Sequence, residues 1–248
     1  MTSLPCEDEQ AVLTHGFDFR PAWWQRSTVS ASWATKLNDL RPAAQGRDYH
    51  HVTRSDLLTR HRDGSPDASG SLLLACYVWG TGAEGWLVGR RARVFRDTPG
   101  EILGQRLVEA REILGTHGPA AAYKALHDGG PLRTKWMRAS FFTKYLYAAS
   151  APGDRTCGPA LILDQFVAIG LNDRHGWGLP ENGPWSASTY ERWLDHAHHE
   201  AEQGSKRTGA PVRPDAVEMA YFKHGRGIWR SRRPSRRRSR RKDGASLS

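Results

Sequence analysis

The sequence lacks the features that mark membrane, secreted and cysteine-metal proteins. It contains no run of 18 apolar residues, so no segment is long enough to span a bilayer as an apolar helix. Its first residues are acidic and have no apolar core of the kind found in signal peptides. The three cysteines are too few and too far apart for a disulfide framework or a four-cysteine metal site. These absences favour a reduced, cytoplasmic protein.

Strand patterns are also missing. No stretch of any length alternates apolar and polar residues, and there is no internal repeat. Several segments carry apolar residues at helical spacing instead, including residues 103–114, which follow a helix start at Thr98–Glu101 and end at Gly115. The apolar run Ser71–Trp79 fits either a buried helix or a strand. We predict an all-α protein.

The positive charge is concentrated at one end. The net charge is +10, but the stretch from Arg226 onward holds nine arginines and one lysine against a single acid, a net charge of +9. This Arg/Ser/Pro-rich stretch cannot bury apolar surface, so we predict a helical domain over residues 1–225 and a disordered tail over 226–248. A tail that only aids solubility is one interpretation. The other is non-specific contact with nucleic-acid phosphates through Arg236, Arg237, Arg238, Arg240 and Arg241.

One lysine and one aspartate have the surroundings of a reactive pair. Lys144 is the only charged residue between Ala139 and Pro152, a few residues into a helix predicted to start near Ser140. The helix dipole and the aromatic neighbours disfavour its ammonium form, and a neutral lysine is a nucleophile for Schiff-base chemistry. Asp164 follows three aliphatic residues at a predicted helix N-cap. A helix–loop–helix could bring both side chains to one cleft. The alternative is that Lys144 reaches solvent and Asp164 only caps its helix.

Two further groups of residues invite a functional interpretation. The aromatic residues beside Lys144, among them Phe142 and Tyr147, could stack on a base or belong to the core. His196, His198 and His199 lie on one predicted helix at spacings that point them in different directions. We therefore expect no metal site there.

The segment around Lys144 resembles the core of the 8-oxoguanine DNA glycosylases, the OGG-fold group of the helix-hairpin-helix DNA glycosylases. In that family a nucleophilic lysine in a Thr-Lys context is followed, after a loop, by a catalytic aspartate that comes directly after an aliphatic pair. Thr143-Lys144 and Ile162-Leu163-Asp164 match this order. The resemblance is best over residues 132–170 and extends to the last helix, Asp215 to His224.

The resemblance implies a DNA glycosylase that excises an oxidised or modified purine such as 8-oxoguanine. Lys144 would be the nucleophile and Asp164 would stabilise the developing positive charge on the sugar, with a lyase step through the Schiff base. The expected partner is DNA, with no membrane, cofactor or metal, and the expected state is a monomer. The base pocket and the nearby DNA contacts would fall to Phe142, Thr143, Tyr147, Glu218 and Phe222.

Two other functions remain open. The first is a catalytically inactive DNA-binding protein with the same fold, because the hairpin position Ala139–Phe142 contains no glycine. Ala148 and Phe166 also stand where better-known members of the family have a cysteine and a histidine. The second is an RNA-binding protein that depends on the Arg/Ser-rich tail.

Overall fold

The structure is a computed structural model that describes residues 4–27, 31–44, 46, 48–59, 63–150 and 159–232. Within these residues the chain is mainly helical, with one two-stranded sheet and two short 3-10 turns. The α-helices are, in chain order, α1 (Glu9–Thr14), α2 (Pro21–Gln25), α3 (Ala31–Thr35), α4 (Arg54–Thr59), α5 (Pro66–Thr81), α6 (Val88–Arg91), α7 (Arg93–Asp97), α8 (Gly100–Leu126), α9 (Ala139–Ala149), α10 (Gln165–His175), α11 (Ala187–Thr208) and α12 (Pro214–Ser231). The predicted all-α class is confirmed.

The small sheet is the one departure from helix that the sequence analysis did not anticipate. Strand β1 (Gly16–Phe19) pairs antiparallel with β2 (His50–Thr53). Each strand has only 4 residues, too few for an alternating pattern to stand out from its surroundings. The sheet ties the N-terminal segment to the start of α4.

Helix α5 lies at the centre of the core. Almost every residue from Ala68 to Trp79 is buried, and a helix that is apolar on all sides is stable only when other elements surround it. The Ser65 side chain accepts a hydrogen bond from the amide of Ala68, and Pro66 occupies the first turn, so the start is well defined. Helices α8 and α9 pack against it. The ambiguous apolar run is therefore a helix.

Helix α8 is broken once. Gly118 has φ +82°, and Pro119, which has no amide hydrogen, follows it. The break comes three residues after the helix end predicted at Gly115. The first segment begins at Gly100, within the predicted start Thr98–Glu101, and has no side-chain cap.

Helices α10 and α12 pack with their backbones in contact. A Cβ added at Gly225 would lie 1.9 Å from the carbonyl oxygen of Phe166, and one at Gly170 would lie 2.6 Å from that of Tyr221. Both glycines are buried at the crossing. Because Asp164 caps α10, this crossing fixes the position of Asp164 relative to α12.

The C-terminal helix continues beyond the boundary predicted after residue 225, since α12 runs to Ser231. The five tail arginines, Arg236, Arg237, Arg238, Arg240 and Arg241, lie outside the described residues, as does the predicted disorder of the tail. Across the ranges that the structure describes, no helix combines the length and apolarity needed to cross a membrane.

Candidate active site

The structure brings Lys144 and Asp164 together. The Lys144 Nζ donates one hydrogen bond of 2.8 Å to Oδ2 of Asp164 and another of 2.8 Å to the carbonyl oxygen of Ser140. Their side chains are only 6% and 12% exposed. Lys144 lies in the second turn of α9, and Asp164 precedes α10. The lysine therefore does not extend into solvent, and it joins α9 to the residue that caps α10.

Asp164 also caps α10, as predicted. Its Oδ1 accepts hydrogen bonds from the amides of Phe166 at 3.0 Å and Val167 at 3.3 Å, while Oδ2 binds Lys144. The capping bonds stabilise the carboxylate and fix its orientation. Capping and pairing with lysine are thus not alternatives, because each uses a different oxygen.

An extended, buried segment, residues 160–163, leads into Asp164. Its backbone belongs to no helix or strand, so its amides and carbonyls need other partners. Side chains from helices supply them: Tyr190 binds the amide and the carbonyl of Leu161, and Trp193 donates to the carbonyl of Ile162. The hydroxyl of Thr143, next to Lys144 on α9, accepts from the amide of Leu163 at 3.2 Å. Thr143 therefore ties the strand-like segment to the helix that carries the lysine.

Glu218 is part of the same support. One carboxylate oxygen accepts from the Ile162 amide at 3.0 Å, and the other accepts from Nη2 of Arg54 at 3.0 Å. Both side chains are 1% exposed. Burial raises the pKa of Glu218, and the charge of Arg54 opposes that shift. With both oxygens occupied in the interior, Glu218 holds the segment before Asp164 and is not placed to bind a base.

Two predicted base-pocket aromatics lie in the core. Phe142 is 2% exposed and meets the ring of Tyr123 edge-on, with 4.9 Å between ring centroids. Tyr147 is 3% exposed and donates to Oδ2 of Asp215 at 2.8 Å. Burial raises the pKa of the Tyr147 hydroxyl. In this structure neither ring is placed to stack on a base.

Aromatic side chains form a wall beside Lys144 and Asp164. The Lys144 Nζ lies 5.9 Å from the ring centroid of Trp79. The His15 ring lies edge-on to Trp79 at 5.5 Å and to Phe222 at 5.5 Å. Phe222 is half-buried and also contacts Phe166, two residues after Asp164. Of the aromatic residues singled out from the sequence, Phe141 lies 5.9 Å from the Lys144 Nζ, and Phe222 reaches the pair through its contact with Phe166.

A glycine leaves room for the lysine. A Cβ at Gly80, near the end of α5, would lie 3.1 Å from Cε of Lys144 and 3.1 Å from the Phe141 ring. The Gly80 carbonyl accepts from Nη1 of Arg91 at 3.0 Å. The segment after α5 is thereby anchored next to Lys144.

Two residues near the pair, His15 and Arg54, are not predicted from the sequence. Burial lowers the pKa of His15 to about 4, and the charge of Arg54 acts in the same direction, whereas Asp164 opposes both. The ring is therefore neutral at pH 7, and its Nδ1 has no hydrogen-bond partner in the part of the chain that the structure describes. His15 precedes a strand that the sequence did not reveal, and Arg54 reaches Glu218 across 164 positions. Neither residue carried a signal in a single sequence.

The described residues contain no group of three or more histidine, cysteine, aspartate or glutamate side chains that could hold a metal ion. His196 instead lies 3.0 Å from the hydroxyl of Tyr221, which also lies 2.6 Å from His175. The reactive groups brought together here are an amine and a carboxylate.

Comparison with known proteins gave one match. The family model described as "OGG: Putative 8-oxoguanine DNA glycosylase OGG-like protein" matches residues 10–222, which is well over half of the chain. Lys144, Asp164 and the segment that supports them all fall within the matched region. No curated protein and no solved structure matched.

Proposed function

Because the chain belongs to the OGG-like 8-oxoguanine DNA glycosylase family, we propose that it is a DNA glycosylase that removes an oxidised or modified purine, with Lys144 as nucleophile and Asp164 as its proton acceptor. A lysine-based glycosylase has to form a covalent link to the sugar, and an amine beside a fixed carboxylate has the chemistry for that step. The observation that carries the proposal is the 2.8 Å contact between Nζ of Lys144 and Oδ2 of Asp164.

The first step is the activation of Lys144. Asp164 takes a proton from the ammonium group across their hydrogen bond, which leaves a neutral amine. Low exposure of both side chains strengthens their interaction, and the two capping amides keep the carboxylate in place during the transfer. The proton acceptor is thus held ready before the substrate binds.

Bond exchange at the sugar follows. The target nucleotide leaves the base stack, which costs roughly a few kcal/mol. The amine lone pair forms a bond to C1′ as the glycosidic bond breaks. The base departs with the electron pair of the glycosidic bond and takes up the proton that Asp164 received from Lys144. Transfer of a proton from Nζ to the ring oxygen opens the sugar and gives an imine to Lys144. Loss of a C2′ proton with departure of the 3′ phosphate would complete the lyase reaction.

The aromatic wall gives the departing base a surface to contact. Phe222 is half-buried and its ring contacts His15. The His15 ring also contacts Trp79, which lies beside Lys144, and the Phe222 ring also contacts Phe166, which lies two residues after Asp164. A ring that is partly exposed can stack on a base, and a neutral imidazole can donate or accept a hydrogen bond. Thr143 and Glu218 act as positioning residues that hold the segment before Asp164.

Borohydride trapping tests the proposal. The protein is incubated with a duplex that carries 8-oxoguanine, and separately with one that carries an abasic site, in the presence of borohydride. Reduction of the imine gives a stable covalent adduct that migrates slowly on a denaturing gel. We expect an adduct with the unchanged protein and none with Lys144→Ala, and Asp164→Asn should slow its formation by about 100-fold or more.

Lys124→Ala is the matched control, because Lys124 is an exposed lysine on α8 and should trap DNA like the unchanged protein. An adduct that survives Lys144→Ala would place the nucleophile elsewhere. If no adduct formed on either duplex or on a panel of modified purines, the lyase reaction would be refuted. A DNA-binding member of the family without this chemistry would then be the better description.

A further inference from the structure

A cleft outside the Lys144–Asp164 site lies beside α2 and has a volume of about 440 Å³. That volume falls in the range of small-molecule sites in proteins. We call it the Arg20 cleft. Its lining includes Arg20, Trp23, Gln25, Arg26, Asn38, Asp48 and His50.

Arg20 is the most unusual side chain in this cleft. Its guanidinium carbon lies 4.4 Å from the ring centroid of Tyr49 and 5.6 Å from that of Trp23. Stacking on aromatic rings fixes the plane of the group and leaves its edge available for hydrogen bonds. The Nε atom is buried, yet no side chain or backbone group in the described ranges accepts from it. Because Nε is not accessible from the cleft, the two terminal nitrogens of the guanidinium are the donors that a bound acceptor would contact.

The other lining residues suit an anionic ligand that carries a planar group. Arg26 adds a second, exposed positive charge, so the two arginines outweigh Asp48. Gln25 and Asn38 share one hydrogen bond of 3.2 Å, which leaves an amide oxygen and an amide NH₂ for a ligand. Trp23 is partly exposed. Paired arginines bind phosphate, a tryptophan ring stacks on a base, and side-chain amides bind base edges.

The chain segment that follows α5 runs from the candidate active site to the cleft. A Cβ at Gly85 would lie 2.9 Å from ring atoms of Trp23, so the turn Gly85–Leu87 rests on the cleft wall. The same segment begins at Gly80, which packs against Lys144. Trp86, which follows Gly85 in this turn, is 79% exposed. A large exposed aromatic beside a basic cleft is typical of a surface on which bases stack.

We propose that the Arg20 cleft binds one unpaired nucleotide of DNA, with its phosphate on Arg20 and Arg26 and its base against Trp23. That the nucleotide comes from DNA rests on the proposed glycosylase function, whereas the chemistry of the cleft does not. A contact with a duplex backbone would need only surface charge. A recess with stacking rings and side-chain amides fits a nucleotide that has left its pair.

Calorimetric titration of the full chain with the 5′-phosphorylated dinucleotide pdTpdT tests this inference. Moderate salt suppresses general attraction to the basic tail. We expect measurable binding that falls by about tenfold or more in Arg20→Lys, which keeps the charge but loses the planar fork. Arg26→Ala should weaken binding by a similar factor. Because the Arg26 side chain is exposed, this variant should remain folded.

Arg192→Ala is the control, because Arg192 also stacks on a tryptophan, Trp177, at 3.9 Å but does not line the cleft. Equal affinity in the unchanged protein and both cleft variants would overturn the proposal. So would a loss of binding in Lys144→Ala alone, since the ligand would then lie at Lys144. Inorganic phosphate that competes as well as the dinucleotide would overturn the nucleotide assignment.

The two proposals fail separately. A protein that forms no borohydride adduct but binds the dinucleotide through Arg20 would refute the glycosylase reaction and retain the cleft. A protein that traps DNA through Lys144 but shows no Arg20-dependent binding would refute the assignment of the cleft and retain the glycosylase reaction.

Discussion

His15 links the stability of the protein to pH. Its pKa is lowered to about 4, mainly by burial, whereas an unfolded histidine has a pKa near 6.5. Between these values the unfolded chain binds a proton that the folded protein does not. Stability therefore falls as pH decreases from about 6.5 towards 4. His175 and His196 also have pKa values lowered by burial, so they act in the same direction.

We predict that His15→Gln reduces this pH dependence. The free energy of unfolding, measured with urea at pH 7.5 and at pH 5, should differ by about 2 kcal/mol less in the variant than in the unchanged protein, because one shifted group no longer titrates. His117→Gln, at an exposed histidine on α8, serves as the control and should keep the original dependence. Identical pH dependence in His15→Gln and the unchanged protein would contradict the buried, neutral state of His15.

Some residues of the candidate site could be predicted from sequence, and others could not. Lys144 and Asp164 stand out because each is a lone charge in an apolar stretch, and the family resemblance gives both a role. The family resemblance places Glu218 in the base pocket, whereas in the structure its two carboxylate oxygens bind Arg54 and the amide of Ile162. Its partner Arg54 is 164 positions away, and no local pattern reveals such a pairing. His15 was hidden for the same reason, since its neighbours Trp79 and Phe222 come from distant helices.

Helices α10 and α12 depend on two glycines at their crossing. Their backbones are close enough that a single methyl group at Gly225 would overlap the carbonyl of Phe166. Gly227, two residues later on α12, has no atom within 4 Å of the position that its Cβ would occupy. The same substitution at these two positions therefore separates two effects: the loss of close helix packing at Gly225 and the gain in helix propensity at Gly227.

We predict opposite effects for the two alanine substitutions. Gly225→Ala should lower the free energy of unfolding by about 1–3 kcal/mol or more, because the helices must separate. Gly227→Ala should raise it by up to about 1 kcal/mol, because alanine favours an exposed helix over glycine. Urea denaturation followed by circular dichroism measures both. A Gly225→Ala protein as stable as Gly227→Ala would show that the helices are not in close contact.

The helices were the most predictable elements and the sheet was the least. Residues 103–114 repeat apolar positions at helical spacing over several turns, and so do residues 190–201 of α11. The break in α8 was placed near its correct position because Gly and Pro act locally. The sheet is stabilised by pairing between residues 16–19 and 50–53, and that pairing leaves little trace in four-residue strands.

The molecule combines a nearly neutral body with a strongly basic C-terminal stretch. Charges on that stretch would attract nucleic acid without reading its sequence. Selection of a lesion would then depend on the body, where the Lys144–Asp164 pair and the Arg20 cleft lie.

Replacing Arg236, Arg237, Arg238, Arg240 and Arg241 with glutamine tests this division. If all five neutralise phosphates, the slope of log K against log salt should become shallower by roughly 4.5. Fluorescence anisotropy with an undamaged duplex at several salt concentrations measures the slope. Borohydride trapping at low salt should persist in this variant, because Lys144 is unchanged. An unchanged slope would assign the tail to solubility alone.

The extended segment before Asp164 has a consequence for how the protein opens. The backbone of residues 160–163 belongs to no helix or strand. Its hydrogen bonds are made with side chains of α9, α11 and α12. We expect the segment to stay ordered while these three helices remain packed together, and to lose its conformation when one of them unfolds. Asp164 thus shares the cooperative stability of the whole body, although it follows a piece of irregular chain. The position of the Asp164 carboxylate and the folded state are lost together, so a partly opened molecule does not keep the Lys144–Asp164 pair.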